Sequence, residues 1–185
     1  MPRLIAFLRA INVGGHVVTM ERLRSIFESL GFTDVTTFIA SGNVIFTSRS
    51  ANEAALTRKI EARLQEELGY EVITFLRTAE EIAAVVAQRA FEASKVKAAA
   101  ALNVGFLAGP LSAEALQALR ALRTDNDDFA VHGREVYWLC RMKQSDSKFS
   151  GGVFERKTKA GVTFRTLRTI ERLSALHPPA SSKKR

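Results

Sequence analysis

Stretches of strand length and helix length follow one another in the same order twice along this chain of 185 residues. In the first half, Leu4 to Ile11 is apolar apart from Arg9 and too short for a helix, which predicts a central strand. Thr19 can cap a helix in which Met20, Leu23, Ile26, Phe27 and Leu30 recur at spacings of three and four, and Gly31 ends it. Asp34 to Ile39 and Val44 to Thr47 flank Ala40-Ser41-Gly42-Asn43, which has the chemistry of a hairpin turn. A helix near Asn52 to Leu68 stops at Gly69, and a strand from Glu71 to Leu76 with a helix opened by Thr78 completes the half. The second half repeats the order. Leu102 to Leu107 reads as a strand, Ser112 caps a helix through Leu116, Leu119 and Leu122, and Phe129 to His132 pairs with Val136 to Cys140 across Gly133-Arg134. A short helix around Lys148 to Lys157, with Ser147 as its cap and Gly151 and Gly152 weakening it, leads to a strand from Gly161 to Arg165 and a last helix from Leu167 to Leu176.

Strand, helix, strand, strand, helix, strand, helix, written twice, predicts an α+β protein of two tandem ferredoxin-like α/β plaits, each a split βαβ unit (βαββαβ), arising by internal duplication. The expected divisions are 1–90 and 101–176, followed by a disordered basic tail at 177–185. Gly133 follows Gly42 by 91 positions and Phe164 follows Phe75 by 89, whereas Phe106 follows Phe7 by 99. The first half therefore holds 8 extra residues between its first strand and its hairpin, placed by this reading in the loop from Asn12 to Val18. A segment present in one copy alone is dispensable for the shared frame, which makes it a candidate for binding.

That loop, Arg9-Ala10-Ile11-Asn12-Val13-Gly14-Gly15-His16, has suitable chemistry. Gly14 and Gly15 permit positive φ and close backbone approach, and free amides near a helix start attract anions. Arg9, Asn12 and His16 add side-chain donors. In a split βαβ unit, the hairpin residues Ser41, Gly42 and Asn43, together with Tyr70, lie at the same end of the sheet, with Glu71 the one carboxylate nearby. The expectation is a site for a small phosphate- or carboxylate-bearing ligand, against the alternative of a purely structural turn. Ser147, Lys148, Arg165 and Arg168 form a possible second anion site, or an ordinary solvated basic rim.

No catalytic residue is assigned, and enzymatic activity stays open. There is no G-x-S-x-G, G-x-G-x-x-G or phosphate-loop signature. His16, His132 and His177 are scattered and Cys140 stands alone in a strand-like run, so neither a metal nor a cofactor is expected. The formal charge of +8 favours an anionic partner. Nucleic acid is possible but not favoured: Phe7 and Phe46 could stack bases, yet the basic and paired-aromatic pattern of an RNA-recognition strand is missing. A structural or interaction module is the third reading. With one cysteine, no cleavage-type leader and no apolar run near the roughly 20 residues a membrane span needs, a cytoplasmic location away from membranes is expected.

Three stretches carry a family resemblance: Arg9 to His16, Met20 to Phe32, and Thr37-Phe38-Ile39-Ala40-Ser41-Gly42-Asn43-Val44-Ile45-Phe46. They resemble the signatures of the family called domain of unknown function 1697, and the resemblance runs over nearly the whole chain. It implies two tandem ferredoxin-like plaits and brings no activity or catalytic residues with it. The chain departs from similar sequences at Phe38, where tyrosine is usual, and at Arg165-Thr166-Leu167, where Arg-Asn-Trp is common.

Overall fold

The computed structural model describes residues 1–12, 14–39 and 42–179, so Ser41 of the expected site and residues 180–185 of the expected tail lie outside the described residues. The described residues form two compact units, one from 1–84 together with 173–179, the other Val85–Arg172. In chain order the elements are β1 (Arg3–Leu8), α1 (Met20–Ser29), β2 (Thr33–Thr37), β3 (Asn43–Thr47), α2 (Glu53–Leu68), β4 (Thr74–Thr78) and α3 (Ala79–Ala87). There follow α4 (Ala93–Ala98), β5 (Ala101–Phe106), α5 (Ala113–Arg120), β6 (Asp127–His132), β7 (Glu135–Cys140), α6 (Gly151–Thr158), β8 (Thr163–Thr166) and α7 (Leu167–Leu176). This is a mixed α+β protein with two four-stranded antiparallel sheets, and it fits two tandem α/β plait units.

In the first unit the strand order is β2-β3-β1-β4 and every neighbouring pair is antiparallel. Leu4, Ala6 and Leu8 of β1 share a core with Leu23 and Phe27 of α1 and Leu56, Ile60 and Leu64 of α2. Their alternates Ile5 and Phe7, with Ile45, Phe75 and Arg77, are buried as well, outside that cluster. Two expected caps form, Thr19 accepting from the Arg22 amide and Ser112 from Ala115, and Asn52, expected as the start of its helix, caps it by accepting from Ala55. Gly69 closes α2 at φ 79°, a conformation that costs an L side chain about 1 kcal/mol. Thr78 and Glu81 exchange side-chain to backbone bonds, a reciprocal cap on α3.

The second unit repeats the order as β6-β7-β5-β8, again antiparallel throughout. Phe129, Val136, Trp138, Phe149, Phe154 and Val162 build its core. Strand register corrects the sequence alignment of the halves. Phe7 pairs with Asn43 and Phe75, and Phe106 with Glu135 and Thr163, so the third strands lie 92 positions apart and the fourth strands 88. The expected offsets of 91 and 89 were each wrong by one residue, and in a strand a slip of one exchanges the faces. Phe164 packs against the core of its unit and so matches Leu76, not Phe75.

With the register set, the first unit has seven extra residues between its first and third strands, and they do not all fall in one loop. The β1–α1 connection has 11 residues against six for β5–α5, and the β2–β3 turn five against two, offset in part by a shorter link from helix to second strand. Three boundaries also move by three residues each. β1 ends at Leu8, three residues early, because Ala10 turns the chain at φ 56°. β4 starts at Thr74, where pairing with Leu8 begins. The helix expected from Lys148 starts at Gly151 and is capped by Ser150, whose hydroxyl accepts from Val153, leaving Ser147 to another task.

Candidate functional site

Arg9 to Val18 leaves β1 as a loop tied down at several points. The Arg9 amide bonds the Ile73 carbonyl at 2.9 Å, Ile11 inserts its side chain into the core, and the Asn12 carboxamide oxygen accepts the Val18 amide at 2.8 Å. The Tyr70 hydroxyl donates to the Ile11 carbonyl at 3.1 Å, and its ring stacks on His16 with centroids 4.0 Å apart. Burial raises the Tyr70 pKa above its ordinary value, so the phenol stays a donor at neutral pH. Gly14 and Gly15 sit exposed at φ 66° and 88°, and a Cβ on either meets nothing within 4 Å.

The hairpin turn meets this loop through Gly42. Its carbonyl accepts the Leu8 amide at 2.8 Å, and a Cβ there lies 2.6 Å from Ile11 Cγ2, so only glycine allows the approach. Asn43 is 1% exposed; its side-chain amide donates to the Phe38 carbonyl at 2.9 Å, and its own carbonyl accepts the Phe38 amide. The structure thus brings the expected loop and turn together, but it gives their members different work. Asn12 braces the loop on itself, Asn43 braces the hairpin and Gly42 joins the two, while Gly14, Gly15 and His16 face solvent. Arg9 is partly buried at the loop's start.

The expected second cluster is organised differently. The Ser147 hydroxyl donates to the Asp127 carboxylate at 3.0 Å and accepts the Phe149 amide at 3.0 Å. Asp127, 4% exposed, also takes the Trp138 indole N–H at 2.8 Å and the Thr124 hydroxyl at 3.2 Å. A buried carboxylate at this point repels an anion, and it already holds Ser147 in place. Arg165 on β8 donates to the Thr163 hydroxyl and the Phe164 carbonyl, both at 2.8 Å, and burial lowers its pKa to about 10. Lys148 is exposed in the loop before α6, and Arg168 is exposed in the first turn of α7. Cys140 is fully buried, burial raises its pKa, and its thiol donates to the Met142 carbonyl.

Sequence reasoning missed Asp127, which lies in a run, Asp125 to Asp128, that reads as solvated charge. It also missed Arg77, 1% exposed, whose guanidinium donates to the Leu76 carbonyl at 2.7 Å. Among the described residues no group of three or more His, Cys, Asp or Glu is placed to hold a metal ion, and no helix is long and apolar enough to cross a membrane.

Residues 1–137 match the model of a family described as a protein of unknown function, DUF1697. The chain belongs to the DUF1697 family. The match takes in the glycine loop, the first hairpin and the second unit as far as Tyr137, so Trp138, Ser147 and the 165–167 departure lie beyond it. Among solved structures, this DUF1697 chain is similar to the conserved bacterial protein SP0830 from Streptococcus pneumoniae, at 22% identity and a TM-score of 0.71, over 95% of this chain and 98% of that one. At that identity the likeness speaks to the fold. No curated protein matches.

Proposed function

We propose that this protein binds a small anionic group, phosphate or carboxylate, on the exposed backbone of Gly14, Gly15 and His16, within two ferredoxin-like plaits at 1–90 and 101–176. The plait reading rests on the strand order β2-β3-β1-β4 and its repeat. The observation that carries the ligand reading is a loop lengthened in one unit only, with two successive glycines at positive φ and open space around them. Backbone amides presented by such an open, exposed turn can make an anion-binding concavity. Asn12, Gly42 and Asn43 serve as scaffold, and Arg9 and His16 supply the nearby positive or donor side chains. The single cysteine and the absence of long apolar helices among the described residues fit work in the cytoplasm.

A charge of +8 keeps nucleic acid as a second reading, through phosphate attraction alone. Phe7 and Phe46 are fully buried, so neither offers a ring to a base.

Titration of the 15N-labelled chain with inorganic phosphate and with acetate tests the proposal. The amides of Gly14, Gly15 and His16 should shift and saturate, while those of Gly133 and Arg134 stay still. Asn43→Ala should lower stability by about 1 kcal/mol through its lost hydrogen bond, with or without the anion. Equal shifts in both units, or none at the glycines, would leave the loop a structural turn.

A further inference from the structure

β6 is an edge strand of its sheet, and its ladder with β7 is unbroken over six residue pairs. The corresponding edge strand β2 is interrupted by a register shift between Thr33 and Thr36, with Asp34 at φ 52°. A regular open edge offers unpaired N–H and C=O groups to another extended chain. The two-residue turn at Gly133-Arg134 makes His132 and Glu135 a hydrogen-bonded pair, so the outward-facing backbone belongs to Asp127, Phe129 and Val131.

The first two of these are sealed. The Asp127 carbonyl accepts the Thr124 amide, and its own amide donates to the Thr124 hydroxyl. The Phe129 amide donates to the Asp128 carboxylate at 2.9 Å, and its carbonyl accepts Arg123 at 2.7 Å, with Arg123 and Asp128 paired at 3.0 Å. Val131 has no such cover among the described residues. Beside it lies a cavity of about 420 Å³ between α5 and β6, walled by Leu111, Leu116, Leu119, Phe129 and Val131. Arg120, exposed on its rim, makes no ion pair among the described residues.

We propose that this groove docks an extended acidic peptide, which pairs its backbone with Val131, sets an apolar side chain into the cavity and lays a carboxylate against Arg120. Strand addition supplies main-chain bonds and the pocket supplies specificity, a recurring mode of peptide recognition. Charge selects the partner: Arg123 is held by Asp128, which leaves Arg120 as the rim cation outside an ion pair among the described residues, and the whole chain is +8. A second copy fits less well. Antiparallel pairing of two β6 strands about Val131 sets Phe129, its backbone already sealed, opposite the turn residue Gly133, so two copies would share little beyond Val131 itself.

The test uses the 15N-labelled full chain and acetylated pentapeptide amides that alternate Glu with Val, Leu, Ile or Phe, alongside the same peptides with Lys for Glu. An acidic member should slow exchange of the Val131 amide and shift Leu116 and Leu119, binding about tenfold or more tightly than its lysine counterpart. Val131→Pro removes the edge donor and should abolish the effect. Arg120→Glu, an exposed change that leaves the fold intact, should invert the preference between the two peptide sets. Four results overturn the proposal: no acidic peptide reaching the groove, equal affinity for both sets, a preference unmoved by Arg120→Glu, or the same shifts on raising protein concentration alone, which assign the edge to a second copy.

Discussion

The two units share a frame down to single residues, and they differ where chain leaves the frame. Arg77 and Arg165 occupy equivalent places on the fourth strands, each donating to the carbonyl of the residue before it. Glu61 and Glu155 accept the amides of Thr74 and Val162, locking the second helix of each unit to the start of the fourth strand. Phe46 and Trp138 match as core aromatics, each surrounded by other rings. By contrast, the first unit has long connections after β1 and between β2 and β3, and the second has a buried carboxylate joining strand, hairpin and loop. The duplicated positions carry pairing and packing, which the fold requires in both copies. The unmatched ones are free to differ, and the exposed glycine loop is among them.

The largest expected break in this comparison is at Asp127. Asp127→Ala leaves the Trp138 indole and the Ser147 hydroxyl without their acceptor inside the second unit, and should cost about 3 kcal/mol. Urea unfolding measures it, and a loss well under 1 kcal/mol would mean that the network is not what holds the 141–149 loop.

Next in size is a test of how far the cores are interchangeable. Gly105 matches Ala6, and Phe164 across from it matches Leu76. A Cβ on Gly105 comes within 2.6 Å of Phe164 Cε1 and 2.8 Å of Val162 Cγ2. Gly105→Ala alone should therefore destabilise by about 2 kcal/mol through overpacking. Combined with Phe164→Leu, which recreates the first unit's pairing, it should cost less than the sum of the two single changes. Simple additivity in the double-mutant cycle would show that the two sites do not compensate.

The helix starts at Thr19 and Ser112 were legible because caps are local: each bonds an amide three residues on, and the residue type announces it, whereas Ser147 and Ser150 offered two such residues and the structure uses the second. The two α/β units were legible from the repeated element order. Register was not, because Leu4 to Leu8 and Val44 to Phe46 are buried on both faces, and a run without alternation carries no phase. The meeting of glycine loop and hairpin followed from topology, but the division of labour within it did not. Whether Asn43 reaches outward to a ligand or inward to the Phe38 carbonyl depends on one strand's facing. Asp127 was hidden for another reason: its partners Trp138 and Ser147 lie 11 and 20 residues away, and nothing local distinguishes it from its acidic neighbours.

The smallest expected effect runs in the opposite direction and sharpens the comparison most. Asn103 on β5 matches Leu4 on β1; it pairs with Trp138 and Thr166 as Leu4 pairs with Phe46 and Thr78. It is 2% exposed, and its side-chain nitrogen has no hydrogen-bond partner among the described residues. An amide taken out of water without a partner opposes folding, while leucine of similar reach adds apolar burial at the same point. Asn103→Leu should therefore stabilise the chain by about 1 kcal/mol, read as a higher urea midpoint at an unchanged slope. If the units are equivalent frames, the residue that serves the first unit serves the second. A loss of stability instead would show that Trp138, larger than Phe46 and tethered to Asp127, leaves no room for leucine, and that the second core has diverged around its buried carboxylate.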